Sequence, residues 1–229
     1  MRQTWGLIIF FSLTLITSFM MMPEKNYHML CLGDSYTIGE SVTEQERFPM
    51  QAVELLKKAG INFDKPTIIA KTGWTTDELA AAIKEANYTA RSDNEFVTLL
   101  IGVNNQYRDR DAEQYRKEFI ELLQTALHFA SGKGNHVFVI SIPDWGATPF
   151  AANDRRSREE IGKAIDIFNS INKQESVKAN VNYIDITPIS RQLKEHPDYV
   201  AGDGLHPSGK MYAEWAKLLA AKMDGVINK

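Results

Sequence analysis

The stretch Tyr27-His28-Met29-Leu30-Cys31-Leu32-Gly33-Asp34-Ser35-Tyr36-Thr37-Ile38-Gly39 is apolar for most of six residues, then breaks at a glycine, a carboxylate and a hydroxyl. A short apolar run without polar alternation reads as a strand buried on both faces, the kind found inside a parallel sheet covered by helices. Four more such runs follow at Thr67 to Ala70, Phe96 to Ile101, His136 to Ser141 and Val181 to Ile186. Helical patterns lie between them, predicted from about Phe48 to Ala59 (closed by Gly60), Thr76 to Ala86 and Ser157 to Gln174. The clearest helix carries Tyr115, Phe119, Leu122, Leu123 and Ala126 on one face. The last carries a stripe of Met211, Trp215, Leu218 and Leu219, with Pro207 near its first turn. Strands alternating with helices predict a three-layer α/β/α domain around a five-stranded, mainly parallel sheet.

Working outward, 229 residues with 44% hydrophobic content suit one such domain, over 24–229. A formal net charge of -3 supplies no basic field, so a nucleic-acid partner is not expected. Residues 1–23 differ in kind: Arg2, then a nearly unbroken apolar segment from Trp5 to Met22, then Pro23. This reads as a signal peptide or an uncleaved membrane anchor, a packed helix being the third reading. Either of the first two makes the protein exported: periplasmic, secreted, or tethered to a membrane and facing outside the cytoplasm. The single cysteine, Cys31, lies within the first strand and reads as a packed thiol.

In an open parallel sheet, ligands bind beyond the carboxyl ends of the strands. Four polar motifs fall at such ends: Gly33-Asp34-Ser35, Lys71-Thr72-Gly73-Trp74, Gly102-Val103-Asn104-Asn105 and Pro143-Asp144-Trp145. Near the C-terminus, Asp203-Gly204-Leu205-His206-Pro207 precedes the last helix. Together these offer a hydroxyl nucleophile, an imidazole base and a carboxylate to orient it. Neither the Gly-Lys-Ser/Thr ending of a phosphate loop nor the Gly-x-Ser-x-Gly nucleophile elbow is present. With no second cluster of His, Cys or carboxylates to complete a ligand set, neither metal nor cofactor is expected.

Taken together, these blocks resemble those of the SGNH, or GDSL-type, hydrolases, a family of esterases and lipases. Gly33-Asp34-Ser35 matches the serine block, Gly73 the glycine block, Gly102-Val103-Asn104-Asn105 the asparagine block and Asp203 to Pro207 the histidine block. The resemblance implies a flavodoxin-like fold. It implies Ser35 as nucleophile, His206 as general base and then acid, and Asp203 as the carboxylate holding His206. The oxyanion donors it implies are the Ser35 and Gly73 amides and the Asn104 side chain. One departure stands out: the family often carries Asn-Asp in the third block, whereas Asn105 follows Asn104 here, which puts the hydrogen-bond support of that block in question.

Trp74, Tyr107, Arg108 and Trp145 lie just past the motifs and are candidate substrate walls, with loop packing as the competing reading. Arg155-Arg156-Ser157-Arg158 reads as a solvated face or a contact for acidic headgroups or glycans. His28, His128, His136 and His196 lack comparable surroundings, although His196, in a loop beside Pro197 and Asp198, stays open as a substitute base. The expected activity is hydrolysis of carboxylic esters on a small molecule, glycan or lipid. Acetyl esters of carbohydrates are favoured by the expected export and the loop aromatics. A lysophospholipase or acyl-thioesterase of the same family, or a non-catalytic glycan- or lipid-binding module, are the alternatives.

Overall fold

The computed structural model describes Met1, residues 25–90 and residues 95–229. The predicted signal or anchor at 1–23 lies outside the described residues, Met1 apart. Strand β1 (Asn26–Gly33) is the spine of the sheet. On one side it pairs in parallel first with β2 (Asn62–Phe63) and then with β3 (Thr67–Ala70); on the other it pairs with β4 (Glu95–Leu100). β5 (Val137–Ile140) lies beside β4, and β6 (Asn182–Ile184) forms the far edge. Every strand pair is parallel.

The edge beside β1 is one strand position broken in two, because Asp64-Lys65-Pro66 interrupts it and a proline cannot donate to the ladder. Two residues of strand so close after Gly60 were too short to register as an apolar run, so β2 is absent from the sequence reading. The remaining five strands coincide with the predicted ones to within a few residues.

The helices fall into two layers. α2 (Phe48–Lys58) packs on α8 (Gly209–Ile227). A second group packs together, comprising α3 (Thr76–Ala86), α5 (Ala112–Phe129) and α6 (Arg158–Lys178). Between the layers, Met29, Leu30, Cys31 and Leu32 of β1 and Val137 to Ile140 of β5 are almost wholly buried. Large side chains sealed in this way each stabilise the fold by about 1.5–3 kcal/mol. Burial also pushes the Cys31 thiol up to about 12, so it packs as an apolar side chain.

Three details depart from expectation. α6 runs to Lys178, a turn past the predicted end. Pro207 lies outside α8, which starts at Gly209 after Ser208 as its N-terminal cap; Pro207 instead bridges to Val200. Leu218 is exposed, and the buried stripe runs through Met211, Tyr212, Trp215, Leu219 and Met223. Tyr212 and Met223 belong to the buried face in place of Leu218.

β1 turns one way to β2 and β3, while the chain next enters the sheet at β4 on its other side. The crevice opened by this reversal lies beyond Gly33, Ala70 and Leu100, which stand in register. Gly33 is required there, since an added Cβ would collide with the Thr37 hydroxyl and the Leu100 carbonyl.

Candidate active site

Ser35 begins the short helix α1 (Ser35–Ile38) directly after β1. Asp34 caps this helix, its Oδ1 accepting the Tyr36 N–H at 3.0 Å. Only 1% of Asp34 is exposed, and burial raises its carboxyl from 3.8 to about 7 against the pull of the Tyr36 amide and its own amide. The conformation that brings Ser35 to the cavity at the strand end thus rests on a buried carboxyl group.

The segment Val200 to Pro207 folds back on itself. Val200 and Pro207 form an antiparallel bridge, the Ala201 N–H donates to the His206 carbonyl at 2.8 Å, and Gly204 takes φ +73°. In that turn Asp203 reaches its own chain: Oδ1 accepts the Leu205 and His206 N–H groups at 2.9 and 3.0 Å. Asp203 Oδ2 meets His206 Nδ1 at 2.6 Å. Ser41, from the loop after α1, donates its hydroxyl to the same Oδ2 at 2.6 Å. Partial burial would raise the Asp203 carboxyl, but the bonds from Ser41, His206 and the two amides outweigh it and hold the group well below the usual carboxylate range. A carboxylate so held stays ionised and fixes the tautomer of its histidine, leaving Nε2 as the nitrogen open to other partners.

Gly73 follows β3 at φ +87°. An added Cβ would meet only an Arg108 nitrogen at 3.6 Å, so backbone conformation demands glycine more than space does. Gly102, at φ +124°, leads from β4 into α4 (Val103–Tyr107), and there a Cβ would collide with the Tyr115 ring. On α4 the Asn104 Nδ2 donates to the Trp74 carbonyl at 2.9 Å, which ties the asparagine and glycine blocks together. One hydrogen of that amide remains for another acceptor.

Asn105 is wholly buried, and both the oxygen and the nitrogen of its amide are hydrogen-bonded to Thr76. Oδ1 accepts the Thr76 N–H at 3.1 Å, and Nδ2 donates to the Thr76 hydroxyl at 2.7 Å. That hydroxyl donates in turn to Glu118. The support questioned by the Asn-for-Asp departure is therefore present in another form, with the negative charge carried by Glu118 on α5.

Ser35, Gly73, Asn104 and His206 line one cavity of about 150 Å³. Its walls include Tyr107 and Trp145, together with Val103, Phe150 and Leu205. Ser35 and His206 share this space without a direct hydrogen bond. The other two wall candidates are placed elsewhere. Trp74 is half-buried against the core, its carbonyl occupied by Asn104. Arg108 is drawn to the Gly73 carbonyl at 2.7 Å and to Glu78 at 3.4 Å.

The basic cluster is largely a solvated face, with Arg155 and Arg158 exposed, and its side chains also find partners. Arg155 and Arg156 pair with Asp109, and Arg156 also pairs with Asp154 while lying over the Tyr107 and Trp145 rings at 5.6 and 5.1 Å. Arg158 holds the Gly146 and Thr148 carbonyls at 2.7 Å each. By lying over both rings, Arg156 braces the Tyr107 and Trp145 wall of the cavity. The remaining histidines lie apart from it: His136 stacks on Phe96, His196 on Tyr199, His128 is on α5 and His28 is near the start of β1.

Ser41 and Phe150 were missed by sequence reasoning. Phe150 had a weak signal, an aromatic following the loop of the fourth strand. Ser41 had none, since its reach to Asp203 depends on a left-handed turn at φ +66°.

An all-parallel sheet of this strand order, with Ser35, His206 and Asp203 gathered at its carboxyl edge, defines an α/β protein of hydrolase type. Over residues 31–214 the sequence matches the GDSL-like lipase/acylhydrolase family, and the chain belongs to that family. It is accordingly a hydrolase of ester bonds. Solved structures with the same fold include a lipolytic G-D-S-L family member from Veillonella parvula, at 21% identity and TM-score 0.63 over 89% of this chain and 99% of that one. A lipase/acylhydrolase from Enterococcus faecalis aligns at 17% identity and TM-score 0.66, over 87% and 96% of the two chains. The acetylxylan esterase Axe2 from Geobacillus stearothermophilus aligns at 17% identity and TM-score 0.62, over 89% and 94%. A search of curated proteins found no match.

Proposed function

We propose that this protein is an exported serine esterase that cleaves short-chain carboxylic esters, acetyl esters of carbohydrates foremost, through an acyl-serine intermediate. The observation that carries this reading is the 2.6 Å contact of His206 Nδ1 with Asp203, with the same histidine lining a cavity beside Ser35. The Ser35 oxygen attacks the ester carbonyl as its proton passes to His206 Nε2, and the Asp203 carboxylate favours the imidazolium so formed. The resulting oxyanion is met by the Ser35 and Gly73 amides and by the spare hydrogen of Asn104, an arrangement that typically contributes several kcal/mol. Collapse breaks the bond to the alcohol, which leaves with the proton from His206. Water, deprotonated by the same ring, then attacks the acyl-serine and frees the acid and Ser35.

A cavity of about 150 Å³ is well below the roughly 300–1,000 Å³ of sites that take drug-sized ligands, which favours an acetyl or similarly short group against the apolar wall. The acetylxylan esterase among the structural relatives supports a carbohydrate as the alcohol. Export is proposed on the apolar segment at the N-terminus. N-terminal sequencing of the extracytoplasmic fraction tests it and separates a cleaved signal from a retained anchor.

The deciding experiment pairs Ser35→Ala with fluorophosphonate labelling and an ester panel. Loss of turnover and labelling with an unchanged circular dichroism spectrum is expected; substantial turnover in that variant would remove Ser35 from the mechanism. Failure of the folded parent to label would favour a binding module. A preference for long acyl chains or thioesters would move the reading to a lysophospholipase or thioesterase.

A further inference from the structure

Asp203 is approached by four donors from two distant parts of the chain. Three belong to its own turn: the Leu205 and His206 amides on Oδ1 and His206 Nδ1 on Oδ2. The fourth is the Ser41 hydroxyl, 162 positions away in sequence, which donates at 2.6 Å to the oxygen that also holds the imidazole.

The loop bearing Ser41 is shaped for this reach. Gly39 and Ser41 both take left-handed backbone conformations, φ +69° and +66°, and at Ser41 that conformation is adopted against the preference of a side-chain-bearing residue. The Glu40 N–H donates to the Ser35 carbonyl at 3.0 Å, and the Glu40 carboxylate takes the Thr72 hydroxyl. The loop is thus fastened to the serine block and to the strand-three loop before it meets the histidine block. Local strain held in place by its surroundings is a frequent mark of a working site.

We propose that Ser41 is a positioning residue for the carboxylate and that it moderates the charge which Asp203 presents to His206. This rests on the catalytic reading given above. A hydroxyl donating to Oδ2 draws electron density from the oxygen that stabilises the protonated ring. Without it the same carboxylate holds the imidazolium more strongly, and His206 keeps its proton to higher pH.

Other groups share the region. Tyr36 places its ring 5.5 Å from that of His206, and Tyr36 is itself coupled electrostatically to Asp34, Asp144 and Asp203. Tyr212 of α8 is coupled to Asp34, Asp203, Tyr36 and Glu40. Because Asp34 titrates in a neighbouring pH range, the informative quantity is the difference between parent and variant, in which Asp34 is common to both.

The test uses Ser41→Gly, which removes the hydroxyl and accepts the left-handed backbone without strain, so the fold is retained. The first readout is the titration of the His206 ring followed by NMR in the full chain, with the signal assigned by its loss in His206→Asn. Its midpoint is expected to rise by about 0.5–1 pH unit in Ser41→Gly. The second readout is the pH profile of kcat/KM. The acid limb should move upward by the same amount, giving about 3- to 10-fold lower activity well below the midpoint and less than about 2-fold change on the alkaline plateau. A merely structural role would lower both regions equally. An unchanged or lowered ring midpoint in folded Ser41→Gly overturns the proposal. The NMR readout needs no turnover, so loss of the esterase reading and loss of this one remain distinguishable.

Discussion

Replacing Asn105 by Asp should harm this chain, and by an amount that depends on pH. The Thr76 amide can only donate, so the Asn105 oxygen must face it and the Asn105 nitrogen must face the Thr76 hydroxyl. That hydroxyl already donates to Glu118. In Asn105→Asp the nitrogen becomes a second oxygen, which loses a hydrogen bond of about 1 kcal/mol and confronts a hydroxyl whose proton points elsewhere. Burial of the new carboxylate should raise its pKa by about 2–3 units, which corresponds to about 3–4 kcal/mol when the group is ionised. The sign follows from linkage: a carboxyl whose folded pKa lies above its unfolded value destabilises the native state above the folded pKa and is relieved as pH falls below it. Urea unfolding should therefore show a loss of about 4–5 kcal/mol at pH 8, shrinking toward about 2–3 at pH 5. The double variant Asn105→Asp/Glu118→Gln should recover part of the loss at pH 8, with a coupling of about 0.5–3 kcal/mol. A loss that is the same at both pH values, or no loss at pH 8, would refute the account.

The buried cap behind Ser35 gives a second pH signature. Asp34 is raised from 3.8 to about 7, so between those values the native chain holds a proton that the unfolded chain has released, and its contribution turns unfavourable as pH rises, reaching about 4 kcal/mol above pH 7. Asp34→Asn keeps an acceptor for the Tyr36 amide and should gain on the parent in urea midpoint from pH 4.5 to pH 8; a constant difference between the two would exclude this titration. Gly102→Ala should lower stability by about 2–4 kcal/mol and reduce kcat, because φ +124° and the Tyr115 ring both oppose a side chain and Asn104 follows two residues later. Thermal melting and kcat measured together check it, and a variant as stable and active as the parent would count against the role given to that turn.

The strands beside β1 were legible because burial on both faces leaves uninterrupted apolar runs, as at Leu30-Cys31-Leu32 and Phe96 to Leu100. The four motif blocks were legible because the chemistry sits where those runs stop. What sequence could not convey depended on contacts between segments far apart. β2 is two residues long and gains its identity only by pairing with Asn26 and Tyr27. Tyr212 is buried against Phe48 of α2 while Leu218 is exposed, a choice of face that the spacing within α8 does not settle. Arg155 and Arg158 are exposed as a solvated face requires, but their partners, Asp109 and two backbone carbonyls, and the Asp109 and Asp154 partners of Arg156 could not be read from sequence. Trp74 and Arg108 adjoin the motifs in sequence but are turned to other work by Asn104, Glu78 and the Gly73 carbonyl.

The direction of β1 bears on which esters the cavity can meet. Only Pro23, Glu24 and Lys25 separate the apolar segment, which ends at Met22, from the first residue of the strand, Asn26. Eight residues of strand at about 3.3 Å each carry the chain roughly 26 Å before it reaches the turn that displays Ser35. A retained anchor would therefore hold the opposite edge of the sheet near the bilayer and present the cavity away from it. Lipid esters in that same membrane would then be poorly placed, whereas acyl groups on a glycan beyond the membrane would lie in front of the site. If the segment is cleaved this restriction vanishes, and selection falls to the size of the cavity and its Tyr107, Trp145 and Phe150 wall. On the proposed reading both routes would disfavour long-chain membrane lipids, one through orientation and the other through volume. Comparing the membrane-bound form with a form starting at Pro23 on soluble acetylated sugars and on lysophospholipid vesicles separates them: equal activity of both forms on vesicles would remove orientation from the argument.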